Sequence, residues 1–265
     1  MRYGVLAANL GSYSDPRSVV QLAQTAESAG WESLLIWDHL GFVWGPPASD
    51  PWVTLAAVAA STSKLLIGTG ITPVPRRRPH VLAHEVATLD VLSGGRVIFG
   101  AGLGGVPSEF TAFGEDEAPR IRAEKLDEGL DLLQRLWSGE RIEHHGRHYD
   151  VDGVTLAPSP IQHPLPIWIG GNSSRARARA ARFDGWFADT STAEQMSVTP
   201  DQLAELAAAL PRRDGFDIVV HGYSDQVDPL TYEAAGSTWW LEDIHDMRGS
   251  FADLLRVVEG GPPVT

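Results

Sequence analysis

Cysteine is missing from all 265 residues, which excludes disulfides, thiolate nucleophiles and cysteine-held metals. Positive charge is scarce as well: 21 Lys and Arg face 34 Asp and Glu, for a formal net charge of −13. Such a balance repels nucleic acid and anionic lipid, so neither is expected as a partner. No apolar run approaches membrane-spanning length. The first residues, MRYGVLAANLGSYSDP, carry one basic residue and an apolar stretch too short for a signal peptide, and a cytoplasmic protein is expected. No low-complexity segment or sequence repeat is present.

What is present is alternation. Length is close to the roughly 250 residues of one α/β barrel, and a single domain over 1–265 is expected. Short apolar runs read as strands at Val5–Asn9, Ser33–Trp37, Leu65–Ile71, Val97–Gly100, Ile167–Gly170, Gly185–Ala188, Phe216–Gly222 and Thr238–Leu241. Helical patterns fill the intervals, opened by pairs such as Asp15-Pro16 and Asp50-Pro51 and closed by glycines such as Gly30 and Gly139. Two turn signals within 141–156, at Gly146 and Asp152-Gly153, suggest a small antiparallel ribbon after the fourth helix. Eight apolar strands alternating with helices predict a closed (β/α)8 barrel of the α/β class.

Chemistry in such barrels sits at the C-terminal ends of strands, where polar residues are few: Asn9, Asp38-His39, Thr72, Gly102-Leu103-Gly104, Gly170-Gly171-Asn172-Ser173, Asp189 and Glu242. Only strand two offers an acid beside an imidazole, a pair suited to moving a proton. The glycines of strand five let a ligand approach the main chain, and the helix start behind them suits a phosphate. Strand four ends in Gly100-x-Gly102-x-x-Gly105, the spelling of a dinucleotide fingerprint. Its context rejects NAD, because Pro107-Ser108 follow at once and Glu124, at the right offset for the ribose acid, lies within a helix. Arg76-Arg77-Arg78 is read either as a contact for an anionic cofactor tail or as a solvated loop. No metal is expected: His80 and His84 lack a third ligand, His144, His145 and His148 sit in the ribbon, and strand one lacks the H-x-H of barrel metallohydrolases.

Several stretches, among them AESAGWESLLIWDHL, LDVLSGGRVIFGAGLG, PLPIWIGG and AGSTWW, resemble the bacterial luciferase-like family of flavin-dependent oxidoreductases, which includes enzymes of the deazaflavin coenzyme F420. The resemblance implies that Gly102, Leu103 and Gly104 neighbour the flavin ring and that Gly70-Ile71, followed by Thr72, forms a non-proline cis peptide against its back face. It further implies that Gly171, Asn172 and Ser173 take the phosphate, with Gly170 beside them also at the cofactor, that Asp38 contacts the cofactor and that His39 transfers protons. Trp44 is expected over the active site, and Trp239 in the substrate pocket. One departure stands out: where the deazaflavin sugar-phosphate dehydrogenases carry a glutamate after the GxG, this chain has Gly105. The implied function is a monooxygenase using reduced FMN and O2 on a small organic substrate. The alternatives are an F420-dependent reductase or dehydrogenase and a non-catalytic flavin-binding protein. Barrels of this family are often homodimers, although no interface can be located in the sequence.

Overall fold

The computed structural model describes residues 1–41, 45–115, 118–210 and 214–263. Along the chain the elements are β1 (Arg2–Ala7), α1 (Pro16–Ala29), β2 (Ser33–Ile36), α2 (Pro51–Ser61), β3 (Leu66–Thr69), β4 (Thr72–Pro73), α3 (Pro79–Ser93), β5 (Val97–Gly102) and α4 (Ser108–Thr111). Then come α5 (Pro119–Trp137), β6 (Ile142–His145), β7 (Asp150–Val154), β8 (Ile167–Gly170), α6 (Ser174–Ala180), β9 (Gly185–Phe187), α7 (Pro200–Ala207), β10 (Asp217–Gly222), α8 (Pro229–Ala234), β11 (Trp239–Ile244) and α9 (Phe251–Glu259).

Eight strands pair in parallel in the order β3, β2, β1, β11, β10, β9, β8, β5, and a β3–β5 pairing closes the ring. The predicted (β/α)8 barrel is therefore the fold, and β6 and β7 form the separate antiparallel ribbon expected from the turn signals. The third predicted strand is divided. Between β3 and the short β4, which pairs with the end of β5, the Gly70–Ile71 peptide is cis, as the family resemblance implied. The eighth predicted strand is longer than its apolar run suggested, reaching Ile244 instead of Leu241.

Local chemistry explains the element ends. Asp15 accepts from the Arg17 amide ahead of Pro16, and Gly30 closes α1 with φ +90°, a left-handed conformation glycine adopts without steric cost. Arg96, the arginine of the LDVLSGGRV stretch, is buried and donates to the carbonyls of Ala59, Thr62, Leu65 and Ser93. It thereby satisfies carbonyls left over at the C-terminal ends of α2 and α3. That conspicuous motif is thus structural, at the end of the barrel where strands begin.

Inside the barrel Leu6, Leu35, Ile98, Trp168, Phe187, Val219, Trp239 and Leu241 pack together, while a larger apolar layer lies between strands and helices. Trp239 corrects an expectation. It is the first residue of β11, in register with Arg2, packs edge-on against Trp168 with centroids 5.4 Å apart, and is fully buried under the Arg2 guanidinium. Inward-facing strand residues stack in layers, and a residue at a strand's start fills the bottom layer, so Trp239 plugs the floor far from the open end. Among the described residues no helix is long and apolar enough to cross a membrane.

Candidate functional site

A cavity of about 500 Å³ opens where the strands end, the end that carries chemistry in this fold. Leu6, Ile71, Leu103 and Phe187 give it an apolar lining; Gly70, Gly104, Gly105, Gly170 and Gly171 leave stretches of bare main chain. Two glycines are required. A Cβ on Gly170 would stand 2.3 Å from Ile71 Cδ1, and Gly104 holds φ +84° with the Phe110 ring 3.0 Å from where a Cβ would be.

Asp38 and His39 follow β2, and Asn9, just past β1, fixes them. Its buried amide donates to the His39 carbonyl at 2.8 Å and accepts from the His39 amide at 3.2 Å. The imidazole Nδ1 lies 3.2 Å from Oε1 of Glu109. A carboxylate only accepts, so Nδ1 carries the proton in this contact, and Nε2 is the ring nitrogen through which a proton could be exchanged with a ligand. Glu109 stands on α4, 2% exposed; the Leu40 amide donates to it at 2.7 Å and Arg76 to its other oxygen. Burial pushes the Glu109 carboxyl up, but the His39 hydrogen bond and charge, the Leu40 amide and Arg76 outweigh it, leaving the group below the usual glutamate range.

Asp38 is held just as firmly. Arg76 donates to its carbonyl and to Oδ1, each at 2.7 Å, while Arg77 reaches both carboxylate oxygens at 3.0 and 2.9 Å. Neither arginine is the wet loop charge or the cofactor-tail contact considered from the sequence. Two guanidiniums meet two buried carboxylates behind His39, and bidentate pairs of this kind position rigidly. The acid that holds His39 is Glu109, four residues beyond Gly105.

The opposite wall comes from β9, β10 and β11. His221, inside β10, presents Nδ1 to Asp243 Oδ2 at 2.9 Å and to Ser191 Oγ at 3.0 Å, and Ser191 donates to Asp243 at 2.5 Å. Its Nε2 faces Asp189 Oδ1 at 3.7 Å. Burial lowers the basicity of His221, but the charge of Asp243 and the hydrogen bonds and charge from Asp189 and Asp243 raise its pKa to about 10. The Thr190 amide also points at Nε2, at 3.3 Å, a contact that favours a neutral ring; two carboxylates outweigh one amide dipole, so the imidazolium prevails. Phe187 packs against the ring with centroids 5.4 Å apart.

Of the residues singled out in the sequence, Asp38, His39, Gly70, Ile71, Leu103, Gly104, Gly170, Gly171, Asn172 and Ser173 line this one cavity. Thr72 and Gly102 stand behind it: Thr72 is buried with its hydroxyl 3.0 Å from Thr69 Oγ1, and Gly102 lies beneath Ile71. Asn172 is committed to the main chain of Asp189, donating at 2.6 Å and accepting at 3.0 Å, and Ser173 caps α6. Trp44 lies outside the described residues. His80 and His84 are exposed on α3, and no group of three His, Asp or Glu among the described residues is placed to hold a metal. Glu242 points away from the cavity, toward Arg248 and Trp240. Glu109, Ser191, His221 and Asp243 escaped the sequence reading. His221 interrupts an apolar strand with a titratable residue, a signal that lies within the strand and not at its end.

Fold and site together define a (β/α)8 barrel with an acid–imidazole pair in a glycine-walled cavity at its open end. Residues 1–224 match the family described as Luciferase-like monooxygenase, and the chain belongs to that family. It is similar to the F420-dependent hydroxymycolic acid dehydrogenase of Mycobacterium tuberculosis (strain ATCC 25618 / H37Rv), 37% identical over 179 residues, 64% of this chain and 48% of that one. It is also similar to the F420-dependent glucose-6-phosphate dehydrogenase of Microbacterium testaceum (strain StLB037), 32% identical over 231 residues, 83% of this chain and 67% of that one. Among the curated relatives are several of which this chain spans only about half the length. A solved F420-dependent secondary alcohol dehydrogenase, in complex with an F420–acetone adduct, superposes with a TM-score of 0.78 at 16% identity over 99% of this chain and 98% of that one, a likeness of fold.

Proposed function

We propose that this protein is an oxidoreductase that binds coenzyme F420 in the cavity and exchanges a hydride and a proton with a small organic substrate. The observation that carries the reading is His39, held by buried Glu109 at the edge of a cavity whose walls are bare main chain. The names of the two sequence relatives support F420 as the partner. The residues fit the group: about 500 Å³ lies within the range of organic-ligand sites, and the space beside Gly170 and Gly104 is what a flat ring needs to reach the backbone.

The deazaflavin would supply the hydride acceptor or donor. His39 would take the proton released when a hydroxyl becomes a carbonyl, or return it in the reverse direction, through Nε2. Glu109 keeps Nδ1 protonated and stabilises the imidazolium that results, a division of labour between orienting acid and working base. Arg76 and Arg77 hold both carboxylates in place. The loop Gly171–Asn172–Ser173 is our candidate for the phosphate end of the cofactor.

A second reading, reduced FMN with O2 acting on an organic substrate, is favoured by the apolar lining of Leu6, Ile71, Leu103 and Phe187, which would exclude water. Fluorescence titration with F420 and with FMN, followed by substrate-dependent turnover with and without O2, tests both. F420 binding with turnover indifferent to O2 is expected. Binding of FMN alone with turnover that needs O2 would replace the first reading by the second, and binding of neither would remove both. Binding without turnover in wild type would leave a flavin-binding protein.

A further inference from the structure

We propose that Asp189, Ser191 and His221, with Asp243 behind them, form the substrate subsite, and that it takes an uncharged molecule through a hydroxyl or carbonyl oxygen other than the one that reacts at His39, while rejecting phosphorylated and carboxylated ones. The inference rests on the cavity being the cofactor site, and it names the chemical class of the second ligand.

All four residues line the cavity: Asp189 and Ser191 follow β9, His221 is on β10 and Asp243 on β11, and β1 stands between β11 and the His39 strand. The wall is built, not fluctuating surface. Asp243 is 1% exposed, Ser191 bridges it to His221, and Thr190 ties the loop to the main chain of β10 in both directions, at 2.6 and 3.0 Å. The Tyr223 hydroxyl donates to the Thr192 carbonyl at 2.6 Å. Asp189 differs: its main chain is clamped by Asn172, while its side chain is 73% exposed toward the mouth.

The signs of the charges select the ligand. Among the described residues lining the cavity there is no lysine or arginine. Arg76 and Arg77 are committed to Asp38 and Glu109. Arg248, behind the wall, is committed to Glu242, Asp225 and the Asp243 carbonyl. The wall thus offers one imidazolium against two carboxylates. A phosphate placed there meets like charge without a guanidinium to neutralise it. A hydroxyl suits both neighbours, accepting from the His221 side and donating to Asp189, and a carbonyl can accept from His221. His144 and His148 of the ribbon pair with Glu128 and Glu124 of α5 and take no part.

Matched probes test this: cyclohexanol, cyclohexanone, cyclohexyl phosphate and cyclohexylamine, titrated against the cofactor-loaded protein and, by thermal shift, against the cofactor-free protein. Cyclohexanol or cyclohexanone is expected to bind at least about tenfold more tightly than cyclohexyl phosphate. Asp189→Lys, exposed enough to fold normally, should narrow that ratio about tenfold by strengthening the phosphate. His221→Gln should weaken the alcohol about tenfold or more, the loss of a charge-assisted hydrogen bond, while the dissociation constant of the cofactor stays as in wild type. Cyclohexyl phosphate or cyclohexylamine binding best, none of the probes binding, or ratios unmoved by both variants would overturn the proposal. Failure of the cofactor reading shows separately, as no fluorescence change on adding F420 or FMN.

Discussion

The two sides of the cavity both carry a histidine on an acid, yet they handle charge in opposite ways. Behind His39, Asp38 and Glu109 are matched by Arg76 and Arg77, each acid nearly inaccessible to water. Around His221, Asp243 and Asp189 share a single imidazole with no guanidinium at the surface of the wall. The first arrangement is balanced and rigid, so it suits a group that must repeat one proton transfer in one geometry. The second leaves an exposed carboxylate beside a fixed cation, so it suits a ligand that brings both a donor and an acceptor.

The sharpest test of the comparison is to remove each imidazole. His39→Ala should lower kcat/KM by about 10²- to 10⁴-fold, the usual contribution of a positioned acid–base group, with cofactor affinity unchanged in the same titration. A fall no larger than that of His221→Gln would break the distinction between the two walls. Next in size is Arg76→Met, which strands Glu109 and weakens the hold on Asp38. Breaking a buried pair from one side costs about 3–5 kcal/mol, readable as a drop in unfolding free energy in urea.

The pH dependence of stability separates the walls further, with opposite signs. Glu109 has its pKa lowered on folding, so its contribution is complete above the ordinary glutamate value and disappears as pH falls through the folded one; the deficit of Glu109→Gln should be present at pH 7 and shrink in acid. His221 has its pKa raised from 6.5 to about 10. Its contribution is complete below 6.5 and is lost as pH rises toward 10, so the deficit of His221→Gln should be largest near pH 6 and close in alkali. Denaturant midpoints across pH 3 to 10.5 check both. Parallel profiles for the two variants would refute the assignment. The smallest effect is expected at Gly105, which is exposed, with nothing within 4 Å of where a Cβ would stand. Gly105→Glu should change stability by no more than about 0.5 kcal/mol, because Glu109 already holds the histidine.

Legibility in the sequence differed between the same two regions. The His39 side stood out because an acid and an imidazole follow a short apolar strand, and Asn9, Gly70, Gly104 and Gly170 stood at neighbouring strand ends. Glu109 did not, since a four-residue helix is too short to show periodicity. The fate of Arg76 and Arg77 also depended on partners 33 and 38 or 39 residues away. On the other wall, β11 was cut short at Leu241, as Glu242 and Asp243 look like the end of a buried strand. They are instead buried polar residues satisfied from outside and inside the barrel, Glu242 by Trp240 and Arg248, Asp243 by His221 and Ser191. Trp239 failed for a related reason: strand membership is local, but which barrel layer a residue occupies depends on register with its neighbours.

The order of strands and helices, the closure into a barrel, the helix caps and the glycine-lined strand ends were all decided by the chain itself, because each depends on periodicity and on backbone preferences that act over a few residues. Pairing an acid with a histidine, balancing one wall with arginines and leaving the other without, and turning Trp239 to the floor were decided only in three dimensions. Charge interactions act between groups brought close by folding, whatever their separation along the chain.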